Sequence, residues 1–281
     1  MNEWKRPALE NLVALAIEAG RAIIEVYDAG PEAIAKSDGS PVTIADTRAE
    51  AIILKGLAVL APGVPVLAEE EAAAGRIPDL GARFFCVDPL DGTRDFVEGG
   101  NGEFTVNIAL VENATPVMGV VYAPERSALY AGEPGRALKG LWDARANEER
   151  APLAPIAVAP GASPWRVTAS RRSGGPRIND FIARIAPIEE KRASSSVKFC
   201  LIAEGAADLY PRFGEISEWD AAAGHAVLVA AGGGVMRTDD QTPLRYGRAA
   251  QRFAIDGFVA YGGEASERTT RETLALMRTS A

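Results

Sequence analysis

Apolar residues recur at helical spacing over residues 7–27, where Leu9, Leu12, Val13, Leu15, Ala16, Ile23 and Ile24 would share one face. Pro7 suits the first turn of that helix, and Gly30-Pro31 marks its end. A turn-rich stretch over 36–43 leads into a second helix at 44–60, with Thr43 placed to cap it. Residues 64–67 read as a short strand, followed at once by Glu69-Glu70-Glu71, which suit a solvated loop or an acidic cluster. The run 84–87 is apolar throughout and predicts a buried strand. Asp88-Pro89 should stop it, because proline has no N–H to give to a sheet ladder. Residues 104–111, 116–122 and 128–131, with 135–142 after them, predict an antiparallel meander. Residues 145–155 are polar and carry two prolines, a candidate boundary that divides the chain into 1–150 and 151–281.

The second part alternates strands and helices, which indicates an α/β arrangement. Strands are expected at 165–170, 207–211 and 254–261, and helices at 177–185, 197–204 and 264–278. Ser194-Ser195-Ser196 would cap the helix at 197–204. Another helix opens at Trp219-Asp220 and runs through small residues.

With 281 residues, the chain can bury a large core and fill about two domains at ~150 residues each. Its formal net charge of −8 argues against non-specific binding to nucleic acid or to an anionic membrane. No apolar run reaches the ~20 residues needed to span a bilayer, and residues 1–5 lead straight into an amphipathic pattern, so a cytoplasmic setting is expected. Cys86 and Cys200 lie in apolar runs and are expected as reduced core residues. A single histidine, His225, rules out a histidine-rich metal centre. It sits in a small-residue helical run and is expected to pack there without a chemical role.

The chemistry concentrates in Asp88-Pro89-Leu90-Asp91-Gly92-Thr93. Two carboxylates three residues apart bracket a tight turn, and open backbone amides follow. That arrangement suits a divalent cation meeting a phosphate; it also suits a strand-to-helix turn capped by its acids. Asp46, in the first turn of the second helix, is either a helix-dipole partner or a base. Asp220 has the same two readings, cap or ligand. If Glu69, Asp88, Asp91 and Asp220 converge, they form a hard-oxygen site for two or three Mg²⁺ ions, with the Leu90 carbonyl as a neutral ligand. Thr93 could then pass a water proton to Asp46. The reaction would be phosphomonoester hydrolysis without a covalent intermediate.

These residues resemble a known family. Asp88-Pro89-Leu90-Asp91-Gly92-Thr93 and Trp219-Asp220-Ala221-Ala222-Ala223-Gly224 match the two signatures of the inositol-monophosphatase-like, Mg²⁺-dependent, lithium-sensitive phosphatases. Residues 39–46 and 66–70 are similar to the family's loop and glutamate segments. Residues 101–110, 119–124, 195–200 and 209–213 are similar to the subgroup that hydrolyses 3′(2′),5′-bisphosphonucleotides. The resemblance implies a layered αβαβα sandwich of the inositol monophosphatase/fructose-1,6-bisphosphatase type. It implies Glu69, Asp88, Leu90, Asp91 and Asp220 as Mg²⁺ ligands lining the substrate phosphate, and Thr93 with Asp46 as the water-activating pair. Gly92 and Thr93 amides would hold the scissile phosphate, with Ser195, Ser196 and Lys198 nearer the nucleotide. The implied reaction converts adenosine 3′,5′-bisphosphate and water to AMP and phosphate, clearing a by-product of sulfate assimilation. The 3′-phosphosulfate form is a further candidate substrate. Alternatives are an inositol-phosphate or other sugar-phosphate phosphatase and, from another class, a catalytically silent nucleotide- or metal-binding regulator. Family analogy also suggests a homodimer and peripheral attachment to the inner face of a membrane. One segment departs: the subgroup reads Ser-Arg-Ser-His where this chain has Ser170-Arg171-Arg172-Ser173-Gly174. Without that histidine, Arg171 or Arg172 either contacts the second phosphate or belongs to a solvated loop.

Overall fold

The computed structural model describes residues 4–35, 41–99, 102–169 and 175–279. Arg171 and Arg172, together with Gly39, Ser40 and Asn101, lie outside these residues.

The first part of the chain runs α1 (Leu9–Ala29), β1 (Ala33–Ala35), β2 (Pro41–Thr43), α2 (Ile44–Leu60), β3 (Val66–Ala68), α3 (Glu69–Ala73), β4 (Arg83–Asp91), α4 (Thr93–Val97), β5 (Thr105–Glu112), β6 (Thr115–Ala123), β7 (Ala128–Glu133), β8 (Arg136–Asp143) and β9 (Glu148–Pro155). Strands β3 to β9 form one seven-stranded sheet in sequence order, with β3 parallel to β4 and every later pair antiparallel. The remainder runs β10 (Trp165–Ala169), α5 (Pro176–Ile185), β11 (Ile188–Arg192), α6 (Val197–Ala203), β12 (Leu209–Arg212), β13 (Ile216–Ser217), α7 (Trp219–Ala230), β14 (Gly234–Arg237), β15 (Ala254–Ile255), β16 (Phe258–Tyr261) and α8 (Glu264–Thr279). Its five-stranded sheet has the order β11-β10-β12-β16-β14.

The layers follow from the strand period of two. On β5, Val106, Ile108 and Leu110 join the core under α1 and α2, whereas Ala109 and Val111 join the core under α7. Both faces of the sheet are therefore covered, which explains why β5 is buried along nearly its whole length. Helices α6 and α7 lie between the two sheets, and α5 with α8 cover the outer face of the second. The result is the expected αβαβα stack. Helix α7 sits close because β6 presents Gly119: a Cβ there would fall 2.4 Å from the Ala223 carbonyl oxygen.

Several expectations are corrected. Pro7 precedes the first turn, since α1 opens at Leu9 with Ala8 as its N-cap. The stretch read as a boundary forms β9 and pairs with β8, so a division at residue 150 falls inside a strand. Strand β4 does not stop at Asp88-Pro89 but continues to Asp91 through a register shift between Asp88 and Asp91. The strand expected at 254–261 is two pieces, β15 and β16, in different sheets. Glu69-Glu70-Glu71 opens a short helix rather than a loop. Strand β11, Ile-Glu-Glu-Lys-Arg, escaped the sequence reading because an edge strand needs no apolar alternation.

Candidate metal-dependent active site

The bend at the end of β4 is the centre of the site. Asp88 accepts the Leu90 N–H at 3.0 Å, which pairs that amide where the ladder register shifts between Asp88 and Asp91. Gly92 then adopts φ +93°, and a Cβ at this position would meet Ser195 Oγ at 2.4 Å. Both observations require glycine there. Helix α4 has only five residues and cannot hold itself in place. Its buried Phe96 is fastened between Tyr27 and Phe104, with ring centroids at 5.3 and 5.1 Å. Aromatic pairs of this kind add ~0.5–1.5 kcal/mol beyond the area they bury.

Thr93 begins α4, and its hydroxyl lies 3.0 Å from Asp46 Oδ1 and 3.1 Å from the Leu90 carbonyl. Asp46 is fully buried and serves two ends at once. Its Oδ2 accepts the Thr43 N–H at 2.7 Å and the Thr43 hydroxyl at 2.8 Å, while Thr43 Oγ1 accepts the Ala45 N–H at 3.1 Å. Asp46 therefore closes the capping box of α2 and also stands beside Thr93. Burial raises its pKa, against the pull of the Thr43 and Thr93 hydrogen bonds.

Asp220 lies in the first turn of α7, as expected, and accepts the Ser217 N–H at 2.9 Å. Asp88, Asp91 and Asp220 each bring a carboxylate oxygen to a common point, all within 4.8 Å of one another. Burial and the mutual proximity of the acids, Glu69 included, drive the Asp88 pKa well up and the Asp220 pKa to about 8. Burial also raises Asp91, although Lys198 and the Ser196 N–H oppose it. Acids that repel one another in a buried cup bind protons or cations. An all-oxygen donor set of this charge fits a hard cation such as Mg²⁺. Glu69 opens α3 and acts electrostatically on Asp46, Asp88, Asp91 and Asp220, so the strand-end acids do converge.

Beside the acids lies a cleft of about 190 Å³ lined by Asp91, Gly92, Ser195, Lys198, Arg212 and Asp220 among others. Lys198 is buried, donates to the Ser195 carbonyl at 2.7 Å and lies over the Tyr210 ring. Burial lowers its pKa to about 8 while Asp91 holds it up. Ser195 Oγ donates to the Asp91 carbonyl at 3.0 Å. Ser196 is buried, and its hydroxyl bonds to protein groups rather than capping α6 as expected.

Three buried polar residues of the site had not been singled out. Glu50 accepts the Glu70 and Glu71 N–H groups at 2.8 and 3.1 Å and so fixes the start of α3; its pKa rises to about 7, chiefly through burial. Glu218 accepts the Gly247 and Arg248 N–H groups at 2.6 and 2.9 Å immediately before α7. Asn107 stands on β5 opposite Asp88. A signal existed for Glu50, which falls in the buried stripe Ala45, Asp46, Ala49, Glu50, Ile53 of α2. An acid at i+4 from another acid on an inward face is unusual for a capping role.

His225 is buried, with Nδ1 3.0 Å from Tyr246 Oη, and burial lowers its pKa to about 3. It is a neutral packing residue, as expected. Cys86 and Cys200 are buried free thiols. No helix among the described residues is long and apolar enough to cross a membrane.

A layered fold carrying an acidic cup at a strand bend defines a class of metal-dependent phosphatases. Residues 4–275 match the inositol monophosphatase family, and the chain belongs to it. Among curated proteins, it is 44% identical to the 3′(2′),5′-bisphosphate nucleotidase CysQ of Salmonella typhimurium, covering 84% of this chain and 94% of that protein. It is 42% identical to CysQ of Escherichia coli strain K12, over 80% and 88% of the two chains. Among solved structures, CysQ of Bacteroides thetaiotaomicron superposes with a TM-score of 0.74 at 35% identity, covering 90% of this chain and 97% of that one. An inositol monophosphatase from Anabaena gives a TM-score of 0.70 at 25% identity, covering 96% and 95%.

Proposed function

We propose that this chain is a Mg²⁺-dependent 3′(2′),5′-bisphosphate nucleotidase that removes the 3′-phosphate of adenosine 3′,5′-bisphosphate to give AMP and phosphate. The observation that carries the reading is a cleft in which acids and basic side chains meet. Asp88, Asp91 and Asp220 converge at one point, and Asp91 and Asp220 line the same cleft as Lys198 and Arg212. A substrate with two phosphates suits such a site, because one can meet the cations held by the acids and the other the basic side chains. The identity to nucleotidases of that specificity supports the same choice.

Glu69, Asp88, the Leu90 carbonyl, Asp91 and Asp220 would hold two or three Mg²⁺ ions, which when bound neutralise the phosphate and make an attacking water more acidic. Thr93 Oγ1 receives the proton of that water and passes its own to Asp46 Oδ1, which is 3.0 Å away. Burial makes Asp46 the stronger base for this. Gly92 and Thr93 present backbone amides to the scissile phosphate. Lys198 and Ser195 orient the nucleotide end. Two buried free thiols suit a reducing, cytoplasmic setting.

The test is phosphate release by the purified chain from adenosine 3′,5′-bisphosphate and from inositol 1-phosphate, with Mg²⁺ and with EDTA. Turnover of the nucleotide should exceed that of the inositol phosphate at least about tenfold, a ~1.4 kcal/mol preference, and vanish with EDTA. Preference for inositol 1-phosphate would overturn the substrate assignment. Mg²⁺ binding without turnover of either would favour the silent regulator.

A further inference from the structure

We propose that Asn107 and Ser196 form a buried node that sets the separation of Asp91 and Asp220, making both of them positioning residues for the cations of the site. This rests on the metal-dependent reading above and extends it to residues that touch neither water nor substrate.

The four residues come from four elements: the end of β4, the middle of β5, the residue before α6 and the first turn of α7. Asn107 and Ser196 are 0% and 1% exposed, and neither lines the cleft. Asn107 Nδ2 donates to Ser196 Oγ at 2.9 Å and approaches Asp91 Oδ2 at 3.5 Å. The single proton of Ser196 Oγ goes to the Asp220 carbonyl at 2.8 Å, its 3.4 Å approach to Asp91 being the weaker contact. The Ser196 N–H donates to Asp91 Oδ2 at 2.8 Å. One residue therefore grips Asp91 by its carboxylate and Asp220 by its backbone, and Asn107 holds that residue in place.

Part of the node works against the fold. Its amide stands on the face of β5 that otherwise carries Ala109 and Val111 into the core. Asn107 Oδ1 is buried and meets no donor there. Such a group costs stability; an apolar side chain of similar shape removes that cost but leaves Ser196 Oγ without its Nδ2 donor. What Asn107 contributes is the position of a carboxylate. Groups that orient metal ligands are typically worth ~10–100-fold in metal affinity.

The decisive variant is Asn107→Leu, which removes the amide without opening a cavity. Melting in EDTA should leave its Tm within a few degrees of the wild type, because relief of the unpaired Oδ1 and loss of the Nδ2 bond oppose each other. Calorimetric titration with Mg²⁺ alone should show affinity about tenfold weaker, at the low end of that range. Ser196→Ala should weaken Mg²⁺ similarly, and the double variant should be no weaker than the weaker single, because both act through one hydroxyl. The KM of Asn107→Leu for adenosine 3′,5′-bisphosphate, measured at saturating Mg²⁺, should stay within about twofold, as expected when the lost interaction is not with substrate. Unchanged Mg²⁺ affinity with a raised KM would overturn the proposal, making Ser196 a substrate contact and leaving the metal reading intact. Additive losses would also overturn it. A wild-type chain that binds no Mg²⁺ would remove the parent reading, and this proposal with it.

Discussion

On one side of the active site, Asp88, the Leu90 carbonyl, Asp91, Gly92 and Thr93 fall within six consecutive residues, and their geometry is largely local. Proline offers no N–H to the ladder, Asp88 accepts the amide of Leu90, and glycine turns the chain. On the other side, Lys198 and Asp220 reach the same cleft from two helices that are held by packing, and Ser195 reaches it from the turn before α6. Helix α6 is anchored where Phe199, Tyr210 and Phe258 meet at 5.2–5.4 Å between ring centroids. Helix α7 is seated by the close approach at Gly119. The local side shapes the bend, while the packed side completes the charge. A cup made only from the bend would hold two carboxylates, and it is the third, from α7, that leaves a common point with the charge to hold cations.

Disabling one acid from each side is the harshest trial of this contrast. Asp91→Asn and Asp220→Asn should each lower kcat/KM about a thousandfold, since several kcal/mol of charge stabilisation pass through the bound cations. Circular dichroism should show the fold retained in both. Near-normal turnover in Asp220→Asn alone would mean that the bend suffices and that α7 only packs.

A smaller effect separates the acids as a charged cluster from the acids as structure. Burial raises the pKa of Glu50 to about 7 and, with the neighbouring acids, that of Asp220 to about 8, above the 4.5 and 3.8 of the same side chains in the unfolded chain. The folded state therefore binds more protons through this window. The stability these groups contribute is complete below about pH 4 and is lost as pH rises to about 8. In EDTA, Tm should fall across that range. Mg²⁺ replaces the protons, so at pH 8 and a hundredfold excess over Kd it should raise Tm by about 5 °C or more. Superimposable melts in EDTA and Mg²⁺ at pH 8 would contradict a cation site in the cup.

The smallest effect sets a control at His225, which shares α7 with Asp220. Tyr246→Phe removes the hydroxyl that His225 meets at 3.0 Å. It should cost about 1 kcal/mol of stability, read by denaturant titration, with kcat/KM unchanged. A drop in turnover would show that α7 transmits distant packing to Asp220.

Element types read well from the chain where periodicity was strong, as in α1, α2 and the β5–β8 meander. Thr43 was identified as the α2 cap from its residue type and position alone. Readings failed where a strand carries no alternation, as in β11, and where local polarity resembled a linker, as in β9. The fate of Ser196 shows the same limit at one residue: a serine before a helix favours capping, but here a carbonyl and an amide from other elements claim its hydroxyl.

What the order of residues determined by itself was the list of chemical groups and the bend that presents half of them, because proline, glycine and a neighbouring carboxylate act within a few bonds of one another. Only the tertiary structure decided that Asp220 stands within 4.8 Å of that bend, that Glu50 holds the start of α3, and that Asn107 and Ser196 join the two sides. Those distances depend on how helices seat between two sheets, which is governed by side-chain shape at contacts far apart in the chain.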